Sequence, residues 1–336
     1  MVLMVRPAQL RAGDAVAVVA PAGPLARERF EKGAEVLRGL GLRLVYDERL
    51  FARDRYLAGP DAQRLSLLQA ALDDPTVTAV WSARGGYGLT RLLPQLRLRQ
   101  LRDHPKLVIG FSDVTALHAA LGAVGVGSLH GPNVGQVGEL TPRALARLKD
   151  ALFSWLPPEP IGGAVPLRRG KAQGVLLGGN LTLLASLVGT PHLPSFAGSI
   201  LLLEDVGEAP YRIDRALTQL RNAGALEGLR GLALGTFVRC DDRAGACLTR
   251  DVLAALAIEL AVPAAIDFPI GHLDDNCAVP LGAEVELDAN EGKLTFFQGW
   301  GGGSARSASS SAGSEELSMN RQLFSQRIFD ATQGLW

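Results

Sequence analysis

Asp14–Tyr46 reads DAVAVVAPAGPLARERFEKGAEVLRGLGLRLVY. Asp14–Ala20 is a near-continuous apolar run, the pattern of a strand covered on both faces of a parallel sheet. Pro21-Ala22-Gly23-Pro24 breaks it, and Ala26–Leu40 then repeats apolar residues at helical spacing, ending between Gly39 and Gly41. Leu42–Tyr46 returns as a strand. A β-α-β start of this kind predicts an open, doubly wound, mostly parallel sheet. Such sheets bind their ligands beyond the carboxyl ends of the strands.

The alternation continues outward. Asp61–Leu72 reads as a helix closed by Asp74-Pro75, and Val77–Trp81 as the next strand. It runs into Ser82-Ala83-Arg84-Gly85-Gly86-Tyr87-Gly88, whose three glycines allow left-handed turns and close approach of backbone amides to a ligand. Neither the GxGxxG spacing nor the Lys-Ser/Thr ending of a phosphate loop is present. Two readings stay open: a source of oxyanion-binding N–H groups, or an ordinary glycine turn. Lys106–Leu121, KLVIGFSDVTALHAAL, continues as a short buried strand (Leu107–Ile109), a tight Gly-Phe turn and Ser112 at the mouth of an apolar helix. A serine there caps the helix's unpaired N–H groups. Alternatively the turn exposes Oγ where the helix start stabilises negative charge, as a serine nucleophile attacking a carbonyl requires.

Ser128–Asn133 contains His130, beside Gly131-Pro132, open to a catalytic or a structural hydrogen-bonding role. His118 falls on or near the apolar face of its helix and reads as core; His104 and His192 are loop residues. Pro157–Pro166, PPEPIGGAVP, is the clearest linker, since its Pro and Gly continue neither a helix nor a central strand. Gly174–Gly189 then gives a strand, a Gly-Gly-Asn turn and a helix. Ser199–Leu203 is a strand ending at Glu204-Asp205, a carboxylate pair whose bland reading is an N-cap for the next segment. Tyr211–Leu220 is an amphipathic helix with Arg212 and Asp214 in its first turn, Gly231–Phe237 a strand and Leu248–Leu260 a helix. Ala264–Ile270 extends to Gly271-His272, ahead of Asp274 and Asp275. A loop histidine at a strand end suits general-base work, because its ordinary pKa near ~6.5 lets it shuttle protons at neutral pH. Pro280–Phe297 alternates as a closing hairpin.

The expected organisation is an N-terminal α/β domain over 1–156, a linker over 157–170 and a smaller, strand-rich C-terminal α/β domain over 171–298. A Gly/Ser/Ala-rich flexible linker and tail of unknown role complete the chain over 299–336. The 336 residues hold 34 Lys plus Arg and 34 Asp plus Glu, a formal net charge of zero. With no basic block, nucleic acid and anionic membrane are not expected partners. No apolar run approaches the ~18 residues of a membrane span, and MVLMVRPAQLRAGD lacks the pattern of a secretory signal, so a soluble cytoplasmic protein is expected. Cys240, Cys247 and Cys277 are too few and scattered for a disulfide framework, and the spacing of the first two matches no zinc pattern; neither a metal nor a cofactor is expected.

Seven blocks together resemble one family, the LD-carboxypeptidases of the serine peptidase class with the related microcin-immunity peptidases. They are VAVVAPAG, WSARGGYG, KLVIGFSD, LHGPN, GVLLGGNLTLL, LLLEDVGEAPYRIDR and FPIGHLDDNCAVPLG, in family order across Asp14–Phe297. The resemblance implies Ser112 as nucleophile, Glu204 as orienting acid and His272 as base. The backbone amides of Asp113, Gly85 and Gly86 would then bind the oxyanion. The order Ser…Glu…His also occurs in α/β-hydrolases, but Val114 stands where their G-x-S-x-G elbow has its second glycine, so that fold is not expected. The family's substrate implies hydrolysis of the L,D bond that releases terminal D-alanine from cytoplasmic muropeptide tetrapeptides, in peptidoglycan recycling, by a homodimer. Arg84 and Arg212 are the cations offered for the terminal carboxylate, with a salt bridge to Asp214 or Glu208 as the alternative for Arg212. Two other readings stand beside this one. A microcin-type peptidase cutting an acyl-sulfamoyl nucleotide would need an aromatic platform for the base, and neither Trp81 nor Trp155 is well placed. A non-catalytic peptide- or muropeptide-binding module would have no use for intact Ser112, Glu204 and His272.

Overall fold

The first half of the chain supplies β1 (Ala15–Val19), α1 (Arg27–Gly39), β2 (Arg43–Val45), α2 (Asp61–Asp73), β3 (Ala79–Ser82), β4 (Leu107–Gly110), α3 (Thr115–Ala123), β5 (Ser128–His130), α4 (Val134–Val137) and α5 (Pro142–Phe153). The second half supplies β6 (Val165–Arg168), β7 (Lys171–Asn180), α6 (Leu181–Ser186), β8 (Ser199–Val206), α7 (Pro210–Asn222), β9 (Gly231–Val238), α8 (Thr249–Glu259), β10 (Ala264–Ile266), β11 (Val279–Leu281), β12 (Glu284–Asp288) and β13 (Lys293–Phe296). This is a computed structural model, and it describes residues 4–154, 156–242, 245 and 247–299. The expected tail from residue 300 on, and Trp155, lie outside the described residues.

The fold is mixed α/β with two sheets. In the first, strand order is β11-β5-β4-β3-β1-β2. Its strands are parallel except β11, which runs antiparallel to β5. All five residues of β1 are buried. Because side chains alternate across a strand, Val16 and Val18 join the core that holds Phe30 and Leu37 of α1, while Ala17 and Val19 join Leu68 of α2 and Leu117 of α3 on the other face. A run apolar at every position is what such two-sided burial requires. The chain leaves β1 for β2 on one side and returns to β3 on the other, so the order reverses at β1. The crevice beyond the strand ends at such a reversal is where α/β sheets bind ligands.

The second sheet is ordered β13-β12-β7-β8-β9-β10-β6. Strands β7 to β10 are parallel, and β12, β13 and β6 run antiparallel to their neighbours. One core is continuous between the two halves: Leu117 and Leu121 of α3 pack in the same cluster as Leu181 and Leu184 of α6 and Leu201 and Leu203 of β8. A further core fills the opposite face of the second sheet, from Leu176 and Ile200 to Val285 and Leu294.

Three expectations about elements are corrected. The segment 157–170, read as linker, contains β6, which pairs with β10. Pro280 does not open the hairpin; it sits in β11, in the first sheet, and the hairpin is β12–β13. The strand expected over Ala264–Ile270 ends at Ile266. Both prolines lie in strands at a sheet edge, where a missing N–H breaks no interior ladder. Among the described residues no helix is long and apolar enough to cross a membrane.

Candidate functional site

Strand β4 ends at Gly110, and the chain turns so sharply that Ser112, a non-glycine residue, takes φ +64°. A residue held there stores on the order of 1–3 kcal/mol of strain, which the surroundings must impose. A short 3-10 turn over Ser112–Val114 leads into α3. His118 on α3 reaches back, its Nε2–H donating to the Gly110 carbonyl at 2.8 Å. Asp113 Oδ2 accepts the Leu89 N–H at 2.9 Å, joining the elbow to the segment after the glycine loop. Burial pushes the Asp113 carboxyl above its usual range, and the Leu89 N–H pulls against that. Ser112 is half-buried, and its Oγ makes no hydrogen bond among the described residues.

The glycine loop after β3 lies against this elbow. A Cβ on Gly85 would stand 2.9 Å from Ser112 Cβ and 3.0 Å from Oγ, so only glycine allows the approach. The Gly23 N–H, in the loop after β1, donates to the Gly85 carbonyl at 2.9 Å. A buried arginine, Arg64 of α2, ties the same loops together. It donates to the carbonyls of Pro21 and Gly88, the latter at 3.1 Å, and pairs with Asp61 at 2.5 Å. The loops after β1, β3 and β4 are thus locked to each other at the point where strand order reverses.

Glu204 lies on β8 of the second sheet, and His272 on the loop that leads from β10 of that sheet to β11 of the first. His272 Nδ1 lies 2.7 Å from Glu204 Oε2. Glu204 is 0% exposed, and burial pushes its carboxyl up while His272, and after it the Asn180 amide, pull it down. With the Nδ1 proton donated to the carboxylate, Nε2 keeps the lone pair, the tautomer a general base needs. The Phe111 ring packs on the imidazole at 4.8 Å between centroids. Two glycines clear the space. A Cβ on Gly271 (φ +128°) would stand 2.9 Å from Glu204 Oε2, and one on Gly235 would meet the Ile270 carbonyl at 2.3 Å and Glu204 Cβ at 3.2 Å. The neighbouring carboxylate does other work: Asp205 accepts from Asn180 Nδ2 at 2.9 Å, from Thr182 N at 3.0 Å and from Thr182 Oγ1 at 2.8 Å, holding the start of α6.

Ser112 and His272 line one cleft of about 250 Å³, together with Arg84, Gly85, Gly86 and Phe111. Arg84 is exposed and donates to the Pro24 carbonyl at 2.6 Å. Arg212 is not among the lining residues; it lies on α7, where Nη1 faces Glu208 at 3.5 Å. His130 is fully buried with neither ring nitrogen hydrogen-bonded, and burial lowers its pKa to about 3; His118 is likewise lowered, to about 4. Neither lines the cleft. A larger cavity of about 910 Å³ opens at the ends of β8 and β9, lined by Gly207, Tyr211, Asp214, Arg239 and Asp241, and shares no residue with the cleft at Ser112. The serine and the histidine both face the smaller one. Cys240 and Cys277 are buried and Cys247 exposed, all as free thiols, and no group of metal-ligating side chains occurs among the described residues. The roles of Arg64, Asp113 and the glycines at 235 and 271 are not visible in the sequence pattern; only the density of glycine near the strand ends points to them.

Comparison with known proteins agrees with this architecture. The sequence profile of the LD-carboxypeptidase N-terminal domain matches residues 16–131, and that of the LD-carboxypeptidase C-terminal domain matches 173–287. A Streptomyces coelicolor protein provisionally named a carboxypeptidase is 45% identical over 304 residues, covering 87% of this chain and 96% of that one. The murein tetrapeptide carboxypeptidase of Pseudomonas aeruginosa is 36% identical over 293 residues, covering 82% and 93%. The solved structure of MccF in complex with glutamyl sulfamoyl guanosine superposes with a TM-score of 0.79 at 23% identity, covering 88% and 99%, a likeness of fold. The two matched domains together span most of the described chain, and the relatives matched along it are named as carboxypeptidases. The chain belongs to the LD-carboxypeptidase family, and it is a serine-type carboxypeptidase.

Proposed function

We propose that this enzyme hydrolyses the L,D peptide bond releasing terminal D-alanine from murein tetrapeptides, with Ser112 as nucleophile, His272 as base and Glu204 as its orienting acid. The observation that carries the reading is the 2.7 Å contact between His272 Nδ1 and Glu204 Oε2 in a chain whose strained Ser112 lines the same cleft as His272. Apo geometry is commonly looser than that of the reacting complex, so an unbonded Ser112 Oγ is compatible with this role. Ser112 Oγ attacks the carbonyl carbon of the diamino acid as its proton passes to His272 Nε2, and Glu204 stabilises the imidazolium. Collapse of the tetrahedral intermediate breaks the C–N bond, His272 returns the proton to the leaving D-alanine nitrogen, and an acyl-Ser112 ester remains. Water, giving its proton to His272 Nε2, attacks the ester carbon; the C–Oγ bond then breaks, Ser112 Oγ takes the proton back from His272, and the tripeptide leaves.

We assign the oxyanion-binding role to the N–H groups of Gly86 and Asp113, and two backbone contacts support this. The Gly85 carbonyl faces Gly23, so in a trans peptide the Gly86 N–H faces the opposite way. The Ser112 carbonyl accepts from Thr115 N, which aims the Asp113 N–H out of the helix start. Losing one such donor costs ~2.7–4 kcal/mol of barrier. Arg84, on the cleft wall with most of its fork free, is the cation we assign to the D-alanine carboxylate. Location in the cytoplasm and a homodimeric assembly complete the reading on family resemblance, and the Pro and Gly content of residues 157–163, ahead of β6, supports a division between the halves there.

Release of D-alanine from L-Ala-γ-D-Glu-meso-diaminopimelyl-D-Ala by wild type, and its fall by ~10⁴-fold or more in S112A, is the expected result. Equal release by both proteins would overturn the assignment. Release of nothing from the tetrapeptide but cleavage of an aminoacyl-sulfamoyl nucleotide would move the enzyme to the microcin-type reaction. Against that, Trp81 is buried with its Nε1–H donated to the Pro132 carbonyl at 2.8 Å and offers no stacking face.

A further inference from the structure

Ser112 follows β4 of the first sheet, Glu204 lies on β8 of the second, and His272 lies on the loop from β10 of the second sheet to β11 of the first, so no single element sets the distance across which the proton must move. Two hydrogen-bonded struts span that gap. The first starts at Thr115, the residue that opens α3 directly after the serine turn and is 0% exposed. Its Oγ1 accepts the Asn180 N–H at 3.0 Å. Asn180 ends β7 directly opposite Glu204 in the β7–β8 register, and its amide side chain grips Asp205. The contact needs glycine at 179, where a Cβ would stand 2.6 Å from Thr115 Oγ1. The second strut holds the histidine loop. Thr141, the N-cap of α5 in the first half, donates its hydroxyl to Asp275 Oδ1 at 2.5 Å and its N–H to the Asp274 carbonyl at 3.3 Å. The same hydroxyl accepts from Ala144 N at 3.1 Å, so both its hydrogen-bonding functions are used. Arg143 faces Asp275 Oδ2 at 3.4 Å, and within the loop the Gly271 N–H donates to Asn276 Oδ1 at 3.0 Å.

We propose that Thr115 and Asp275 are positioning residues that register Ser112 against His272, one strut acting through Asn180 and Glu204, the other through the loop that bears the imidazole. The inference rests on the catalytic reading given above. Each strut joins the two halves within three residues of a reacting group, Thr115 after Ser112 and Asp275 after His272. A displacement of about 1 Å at a reacting pair can cost about 100-fold in rate, so loss of a strut is expected to show in turnover.

The test is steady-state release of D-alanine from L-Ala-γ-D-Glu-meso-diaminopimelyl-D-Ala by full-length T115V, T115S, D275A and D275N, with wild type and S112A alongside and with folded content checked by circular dichroism. T115V and D275A are expected to lose about 10- to 100-fold in kcat with KM within about twofold. T115S and D275N, which keep the acceptor oxygen, are expected to recover most of it. A kcat within twofold of wild type in T115V and D275A, whatever their melting temperatures, would overturn the positioning role, as would equal losses in the conservative variants. Activity persisting in S112A would overturn the catalytic reading and the struts with it, an outcome distinct from both.

Discussion

The two walls of the cleft are built by opposite means. On the Ser112 wall, glycines let backbone approach closely: Gly85 against the Ser112 side chain, Gly23 onto the Gly85 carbonyl, with Arg64 bonding carbonyls of two loops. On the His272 wall, glycines at 235 and 271 clear room for a side chain, and the geometry resides in the Glu204–His272 bond. The first wall holds a strained residue, which only a stiff surround can enforce. The second holds the imidazole to which we assign the proton transfer, a role that needs one strong bond and some freedom. Substitutions should therefore separate stability from turnover on the His272 wall and couple them on the Ser112 wall.

The largest effect is expected where that separation is sharpest. E204Q keeps the shape but loses the carboxylate, and kcat should fall by ~10³–10⁴-fold through the wrong imidazole tautomer. Because burial already disfavours the charged Glu204, the thermal midpoint should hold or rise; a large drop would break the comparison. On the other wall, R64M strands the Pro21 and Gly88 carbonyls, and urea unfolding should report a loss on the order of 3 kcal/mol together with lower turnover. G85A comes next, with turnover down about 100-fold as Ser112 is pushed aside; unaltered kinetics would show the loop contact to be slack. The smallest effect is the pH slope. His118 and His130 stay neutral in the fold to about pH 4 and 3, while the unfolded chain protonates them below about 6.5. Their contribution to stability is thus full above pH 6.5 and should fall by about 1.4 kcal/mol per pH unit for each histidine as pH drops through that window. H130M should remove about half of that slope, and an unchanged slope would show that His130 does not supply it.

Much of the fold could be read from the chain because buried parallel strands are apolar at every position and loops succeed them at once. Leu107–Gly110 into Ser112 and Ser199–Leu203 into Glu204 announce themselves that way. Strands β6 and β11 could not be read, since Val165-Pro166-Leu167 and Val279-Pro280-Leu281 look like breaks to any rule written for interior strands. Arg64 falls on the same face of α2 as Leu68, Ala71 and Leu72, but its charge reads as a solvent position; its burial is satisfied by carbonyls far away in sequence. Thr141 with Asp275 is invisible for the same reason. Residue types and their strand-end positions survive in a sequence, whereas bonds between distant loops do not.

Strand β11 has one more consequence. It closes the edge of the sheet that carries Ser112, yet it is made only after His272 and its loop, and it pairs with His130 and Ser128 from the first half. The cost of closing so long a loop is met late in folding. During synthesis the serine elbow therefore emerges long before the histidine proposed as its base, beside a sheet edge that β11 has yet to pair. The peptidase is armed in the same step that seals that edge, so a chain interrupted before residue 279 should be inert as well as incomplete.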